Sequence, residues 1–348
     1  MTKDLNTMVD ESEGDYEHFN IIADPGQAVL RVDKFLLDKL PHISRNKIAL
    51  AAKNGNDFLN ADTVTQKNKA KPEDENSMVV AQPKREFEML AEDIPINIVY
   101  EDDAVIIINK TADFVVHPGH GNFTGTLVNA LLFHFDNLPR NKKSESSYPG
   151  LVHRIDKDTT GLLLIAKTED ALSKMAAHFF NRTIDRHYIA LVWGDLEEDK
   201  GTIEGNIGRS PSDRKRMAVF TDGEYGKHAV THYEVLERLG YVTLVRCKLD
   251  TGRTHQIRTH MMHIGHPIFG DTRYGGDRIV KGTTFSKYKQ FIENCFNILP
   301  RQALHAKTLG FEHPTTGDFM KFECDLPDDM NQVLAKWRVY TKSHSADS

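Results

Sequence analysis

The sequence predicts an α+β protein in two folded parts behind an acidic tail, and three observations carry that prediction. Its 348 residues are long for one domain and comfortable for two, with the 39% hydrophobic and 27% charged content of an ordinary globular chain. Charge is segregated. In residues 1–24, Asp4, Asp10, Glu11, Glu13, Asp15, Glu17 and Asp24 face Lys3 alone, and this stretch accounts for the whole formal charge of −6. Hydrophobic periodicity also changes along the chain, from two short helical patterns between residues 33 and 55 to strand-like runs from Ile96 onward. No apolar run approaches the roughly 18 residues of a membrane span, and the N-terminus lacks the basic-then-apolar pattern of a signal peptide, so the cytoplasm is the expected location. Cys247, Cys295 and Cys324 are widely spaced and odd in number, which points to reduced thiols rather than a disulfide framework or a Cys-rich zinc site.

Residues 1–24 are acidic and poor in aromatics, and they are expected to be disordered. Residues 25–85 form the first folded part. Val29 to Leu37 lead into a helix that Asp33 is placed to cap and Leu40-Pro41 to close. Ser44 caps a second helix with Ile48, Ala51 and Ala52 inward, Arg45, Lys47 and Lys53 outward, and Gly55 at its end. In the hairpin that follows, Asn60 precedes Ala61, which tolerates positive φ poorly, so a different turn is expected there. The charged turn from Ala70 to Asn76 and the linker-like stretch from Gln82 to Glu88 mark the boundary.

The second part, residues 86–340, opens with strands at Ile96–Tyr100 and Ala104–Asn109 and a helix over Thr126–Phe135. Leu162 to Ala166 form a short continuous apolar run after a glycine, which suits a strand buried on both faces. Thr168 caps a helix whose stripe of Leu172, Met175, Ala176, Phe179 and Phe180 reads as core. Further strands are expected at Arg186–Gly194, Lys227–Arg238 and Tyr241–Asp250.

Chemistry concentrates at the mouth of the buried strand, where His153, Arg154, Asp156, Lys157 and Asp158 crowd together. Burying one unpaired carboxylate costs several kcal/mol or shifts its pKa, so Asp156 and Asp158 are either solvated loop charges or are held by partners such as Arg154. A second cluster, Gly208 to Arg216, carries four cations and is either a solvated turn or a phosphate clamp.

His153-Arg154-Ile155-Asp156 followed by Thr159-Thr160-Gly161 closely resembles the His-Arg-Leu-Asp and Thr-Ser-Gly signature of the RluA-type pseudouridine synthases, departing from it at Ile155 and Thr160. Further stretches resemble that family in the right order. They are Val115-Val116-His117-Pro118, the Tyr188 strand, Thr251-Gly252-Arg253-Thr254-His255-Gln256-Ile257-Arg258-Thr259-His260, and the pair Arg301–Ala306 and His313–Gly317. Arg31 to Leu36 with Ser44-Arg45 looks like the alpha-L RNA-binding module that precedes many of these enzymes.

The resemblance implies a pseudouridine synthase fold, α+β with a mixed, largely antiparallel sheet and a central cleft. It implies isomerisation of uridine to pseudouridine in ribosomal RNA, of the large subunit, by a catalytic Asp156 without cofactor or metal. Arg154 would fill the gap left by a flipped base, Tyr188 would stack on that base with its hydroxyl available for the final proton removal from carbon, and Arg258 would pair with Asp156 and keep it ionised. Arg253, Arg214, Lys215, Arg216 and, in the first part, Arg45 would contact RNA. The substrate would be ribosomal RNA or a large-subunit precursor particle, and the protein a monomer.

Three other readings compete for the same residues. His255, His260, His263 and His266 imitate a metal cluster, but no carboxylate lies among them. Asp250-Thr251-Gly252 imitates the aspartic-protease triplet without a matched second aspartate. A non-catalytic RNA-binding protein of the same fold is the serious alternative, and the joint presence of Asp156, Tyr188 and Arg258 speaks against it.

Overall fold

The computed structural model describes residues 16–40, 45–53, 57–60, 62–65, 67–81, 89–119, 122–140, 148–213, 215–221, 223 and 225–345. The chain divides after Glu88 into two compact units. Unit 1 contains β1 (Tyr16–Ile22), β2 (Leu30–Arg31), α1 (Val32–Lys39), α2 (Arg45–Lys53), β3 (Asp57–Leu59), β4 (Asp62–Thr63), β5 (Lys69–Ala70) and β6 (Glu75–Ala81). One sheet runs β1-β6-β3-β4, and β2 pairs with β5. Val32, Phe35 and Leu36 of α1 meet Ile48 and Ala51 of α2 in a small core with Val64 and Ala70.

Two sequence expectations need correction here. The acidic tail does not extend to residue 24, because Tyr16–Ile22 is a strand in antiparallel register with β6, from Tyr16 opposite Ala81 to Ile22 opposite Glu75. Its Tyr, Phe and two Ile residues favour a pleated backbone, a local propensity that the count of carboxylates obscured. Asp33 does not cap α1 either: Arg31 is the N-cap residue, and Asp33 lies in the first turn, 1% exposed. There it accepts from Arg31 Nε and Nη2 (3.0 and 2.9 Å) and from Arg45 Nη2 (3.3 Å). Burial raises its pKa, and the two arginines outweigh that and bring it below the ordinary value. At the hairpin Asn60 takes the positive φ of 50°, which asparagine tolerates, and its side chain accepts from Glu75 N–H (2.9 Å) and donates to Asp74 (2.7 Å). Ser44, Gly55 and Ala61 lie outside the described residues.

Unit 2 contains β7 (Ile98–Glu101), β8 (Val105–Lys110), α3 (Leu127–His134), β9 (Thr160–Ala166), α4 (Glu169–Asn181), β10 (Asp185–Trp193), β11 (Lys200–Arg209), β12 (Met217–Phe220), β13 (Lys227–Arg238), β14 (Val242–Leu249), α5 (Gln256–His263), α6 (Ser286–Ile298), β15 (Leu304–Glu312), β16 (Phe319–Glu323) and α7 (Asp328–Ser345). One ten-stranded sheet runs β12-β11-β13-β14-β10-β15-β9-β8-β7, with β16 beside β15. Every pairing is antiparallel except β15 with β9, so the sheet is mixed and largely antiparallel as expected.

The apolar runs of β8 and β9 are continuous because both faces are covered. Ile106, Ile108, Leu163 and Ile165 join Leu127 and Leu131 of α3, while Val105, Ile107, Leu162 and Leu164 join Leu172 and Met175 of α4. Thr126 and Thr168 cap these two helices, each accepting a backbone N–H from three residues on. The α4 stripe ends one residue early, since Phe180 is 86% exposed. The C-terminal helix α7, absent from the sequence expectations, buries Met330, Val333, Leu334 and Trp337 in the core shared by β10 and α6.

The parallel contact sets where β9 begins. Gly161 of β9 lies beside Ala306 of β15, and Ala306 lies opposite Tyr188 of β10, so three strands bring the start of β9 next to Tyr188. A Cβ on Gly161 would meet the Ala306 carbonyl oxygen at 2.2 Å, and its φ is +110°. Gly161→Ala is therefore expected to destabilise the fold by about 3 kcal/mol or more. A lowered urea midpoint checks this, and an unchanged midpoint would contradict the close approach.

Candidate active site

Asp156 lies in the turn that feeds β9, closed by Thr159 N–H donating to its carbonyl (3.1 Å). Two buried cations hold this turn by its backbone. Lys110 Nζ donates to the carbonyls of Lys157 (2.7 Å), Thr111 (2.7 Å) and Phe114 (2.8 Å). Arg301 Nη1 donates to the Asp158 carbonyl (3.0 Å) while its Nε and Nη2 are held by Asp329 at the start of α7 (2.8 Å each). Burial pushes the Lys110 ammonium down to about 7, and the charges of Asp158 and Asp156 oppose that shift. The backbone is thus positioned by charge-assisted bonds, which leaves the Asp156 side chain for other contacts.

Those contacts form a three-residue ion network. Arg258, on α5 and 6% exposed, donates from Nη1 to Asp156 Oδ2 (2.8 Å). Its other edge grips the fully buried Asp271, Nε to Oδ2 at 2.7 Å and Nη2 to Oδ1 at 2.9 Å. Asp271 Oδ1 also accepts the backbone N–H groups of Arg273 (3.0 Å) and Tyr274 (3.1 Å). The guanidinium fork is therefore fixed on one side and free to meet Asp156 with the other. Burial pushes the Asp156 carboxyl up, and His255, which is protonated only in the acid range where the carboxyl titrates, together with Arg258 and Arg154 more than offsets it, so the group sits below its ordinary value and is ionised at neutral pH. Its side chain is 20% exposed, which leaves it reachable.

Tyr188 is buried at 6% exposure on β10. Burial raises its phenol pKa, the Arg186 charge lowers it, and the Asp156 charge raises it further, so the net direction is up. Arg154 is exposed and hydrogen-bonds His117 through Nη1 and the ring Nε2, and His117 stacks on Tyr148 with centroids 4.7 Å apart. His153 instead faces inward. Its Nε2 accepts Leu164 N–H (2.9 Å) and its ring stacks on Phe179, and burial followed by the Arg186 charge lowers its pKa to about 3. It supports the strand as a neutral ring.

The remaining sequence candidates separate. Arg253 Nε donates to the His228 carbonyl (3.1 Å), and Arg253 opens the turn that leads to His255 and α5. Lys215 is exposed, its carbonyl accepting from Arg273 Nη1 (3.1 Å), and Arg216 pairs with Asp213 (3.4 Å). Tyr274 Oη accepts Met217 N–H (3.0 Å), so the basic loop is joined to the same segment that carries Asp271. Arg214 lies outside the described residues. Arg45 belongs to unit 1, where its guanidinium pairs with Asp33.

Sequence reasoning missed Asp271, Lys110, Arg301 and Arg273. The signal for Asp271 was available: like Asp156, it is a carboxylate set against an apolar run, here Ile268-Phe269-Gly270. Among the described residues, no three His, Cys, Asp or Glu side chains gather to hold a metal. The histidines that imitated a cluster have separate partners: His260 meets Thr231 Oγ1 (2.9 Å), His266 the Trp193 carbonyl (2.8 Å) and His255 Tyr274 Oη (2.9 Å). Asp250 pairs with His232 (3.0 Å).

Removing one member of a buried ion network strands the others, at about 3–5 kcal/mol. Asp271→Asn is expected to lower stability by about 3 kcal/mol, read as a shift of the urea midpoint. A change below about 0.5 kcal/mol would mean that Arg258 does not depend on it.

Residues 104–263, which contain Asp156, Tyr188 and Arg258, match the RNA pseudouridylate synthase family. A protein of Chlorobaculum parvum named as an uncharacterized RNA pseudouridine synthase is 45% identical over 321 residues, 92% of this chain and 98% of that one. A Nitrosomonas europaea protein named ribosomal large subunit pseudouridine synthase D is 43% identical over 307 residues, 88% of this chain and 84% of that one. The solved structure of human RNA pseudouridylate synthase domain containing 4 aligns with TM-score 0.51 at 25% identity, covering 70% of this chain and 93% of that chain. An ionised aspartate beside a fixed arginine, in a sheet of this topology and with relatives this similar along nearly their whole length, has one family to which it belongs: the chain is a member of the RNA pseudouridine synthases.

Proposed function

We propose that this protein isomerises specific uridines to pseudouridine in the RNA of the large ribosomal subunit, with Asp156 as the reacting carboxylate. The observation that carries the reading is the 2.8 Å Asp156–Arg258 pair, in which the carboxylate is held ionised while 20% of its side chain stays accessible. The relatives named ribosomal large subunit pseudouridine synthase D support the choice of RNA. The substrate is ribosomal RNA or a large-subunit precursor particle, met in the cytoplasm by a monomer. None of the described helices is long and apolar enough to cross a membrane.

The reaction breaks the bond from ribose C1′ to uracil N1, turns the base, joins C1′ to C5, and releases the C5 proton to solvent while N1 takes one up. Asp156 serves either as nucleophile or as the anion that stabilises a cationic sugar, and both roles need it deprotonated. Arg154, exposed beside the turn, fills the gap left by the flipped uridine. Tyr188 stacks on the base. Its raised pKa keeps the phenol protonated, so stacking and hydrogen-bond donation suit it better than proton removal. Arg253, Lys215 and Arg216, with Arg273 beside them, meet the RNA backbone. Arg214 and, on unit 1, Arg45 complete the proposed RNA contacts.

Asp156→Asn keeps the shape and loses the charge, and it is expected to abolish pseudouridine formation measured by tritium release from labelled uridine in a ribosomal RNA fragment. Asp158→Asn, whose backbone rather than side chain meets Arg301, is expected to retain most activity. Loss in the second variant with survival of the first would move the chemistry to Asp158. Comparing pseudouridine maps of ribosomal RNA from cells with and without the gene tests the substrate, and no lost site would overturn it.

Arg258→Met leaves the burial of Asp156 uncompensated by its hydrogen-bonded cation. The carboxyl pKa then rises, so the acid limb of the rate profile moves to higher pH, and an unmoved limb would contradict the electrostatic role.

Changing both Lys215 and Arg216 to alanine is expected to weaken RNA binding. With about 0.7 per lost phosphate contact on single-stranded RNA, the log-log salt slope should fall by about 1.4. An unchanged slope would return this loop to a solvated turn.

A further inference from the structure

His255 is the residue immediately before α5 and takes a left-handed backbone conformation, φ 54° and ψ 23°, without capping the helix through its side chain. A non-glycine residue rarely sits there unless its surroundings demand it, and such positions gather at functional sites. The conformation turns the ring toward Asp156. His255 Nε2 stands 4.0 Å from Asp156 Oδ1, with the imidazole side chain 12% exposed. That separation is too long for a hydrogen bond, and Arg258 bonds the other carboxylate oxygen.

The opposite ring nitrogen fixes the tautomer. Nδ1 lies 2.9 Å from Tyr274 Oη, and that oxygen already accepts from Met217 N–H (3.0 Å) and Thr259 Oγ1–H (3.1 Å). Its own hydrogen is left for Nδ1, which must then be the unprotonated nitrogen. The carboxylate on the far side favours the same arrangement, with Nε2–H facing it. Burial lowers the imidazole pKa to about 4, with the Asp156 charge opposing, so the ring is neutral at physiological pH. The result is a neutral, immobilised N–H donor beside the reacting carboxylate, unused by the fold.

We infer that His255 is a further catalytic residue, whose Nε2–H donates to a uracil carbonyl oxygen as the glycosidic bond breaks. When that bond cleaves, N1 keeps the electron pair and the negative charge spreads onto O2 and O4. A donor already aimed at one of these oxygens stabilises the detached base and holds it while it turns. The proton stays on Nε2 throughout: the base recovers neutrality when C5 bonds to C1′, and the proton then lost from C5 is matched by one taken up at N1 from solvent. A neutral donor suits this better than an imidazolium, which would transfer its proton to the base or pair permanently with Asp156. The inference rests on the pseudouridine synthase reading and assigns to the same pocket a residue that recognises uracil.

The test compares His255→Phe, which keeps a ring but no donor, with His255→Gln, whose amide reaches the Nε2 position. Both replacements meet the same backbone constraint. In single-turnover reactions at saturating enzyme, His255→Phe is expected to lose about 10²-fold in rate, the scale for removing one oxyanion donor, while His255→Gln recovers to within about 10-fold of wild type. RNA affinity and the urea midpoint should match between the two variants. Target RNA carrying 2-thiouridine or 4-thiouridine identifies the oxygen, because sulfur at the contacted position should erase most of the difference between wild type and His255→Phe. A His255→Phe rate within about threefold of wild type, a His255→Gln variant as slow as His255→Phe, or fully additive losses with both thiouridines would each overturn the inference. Inactivity of the wild-type protein on every uridine would instead overturn the pseudouridine synthase reading, so the two failures are distinguishable.

Discussion

The guanidinium of Arg258 is the interaction on which the rest of the site depends. It bridges two carboxylates of different kinds, Asp271 fully buried and gripped by two hydrogen bonds, and Asp156 partly accessible and held by one. Desolvating such ions costs several kcal/mol each, and the bridge compensates because a planar fork meets one carboxylate bidentately while presenting its remaining edge to the other. Asp271 is in turn satisfied by two backbone N–H groups, so the network is anchored to the chain itself. The asymmetry gives Asp156 its character: it is paired closely enough to remain an anion and loosely enough to be reached.

A sheet that is antiparallel almost throughout makes one parallel contact, and that contact delivers the turn carrying Asp156. β9 touches β15 only around Gly161, where the missing side chain allows Ala306 to approach, and Ala306 connects this point to Tyr188. Lys110 and Arg301 then hold the turn through carbonyl oxygens and leave its side chains for other work. Both cations are buried, and each is supplied by a strand or a strand-preceding segment packed into the core. A turn held this way loses little freedom on meeting a substrate, which is the condition for a well-oriented catalytic group.

The segment from Asp271 to Tyr274 links the ion network to the basic loop at Lys215 and Arg216. Asp271 holds Arg258, Arg273 reaches the Lys215 carbonyl, and Tyr274 joins Met217, Thr259 and His255. Three residues thus tie the proposed phosphate-binding loop to both the ion network and the imidazole beside Asp156.

The sequence alone determined what local physics controls. Thr168 was legible as a helix cap because a cap needs only its own hydroxyl and an N–H three residues on, and the buried strand at Leu162–Ala166 was legible because two-sided burial leaves an unbroken apolar run. Asp156, Tyr188 and Arg258 were legible through motifs, not through physics of the chain. Local reading failed where acidic composition hid the strand Tyr16–Ile22 and where Asp33, a capping type by residue identity, became a buried partner of Arg31 and Arg45. Only the tertiary structure decided the rest. Asp271 and Lys110 carry no motif in sequence, Arg301 and His255 stood only within family-like stretches with no role attached, and their roles arise from partners such as Asp156, 102 residues from Arg258, or Asp158, 143 residues from Arg301. An ion pair or a fixed tautomer is a property of two groups brought together, and closure over such separations is set by the packing of the whole sheet.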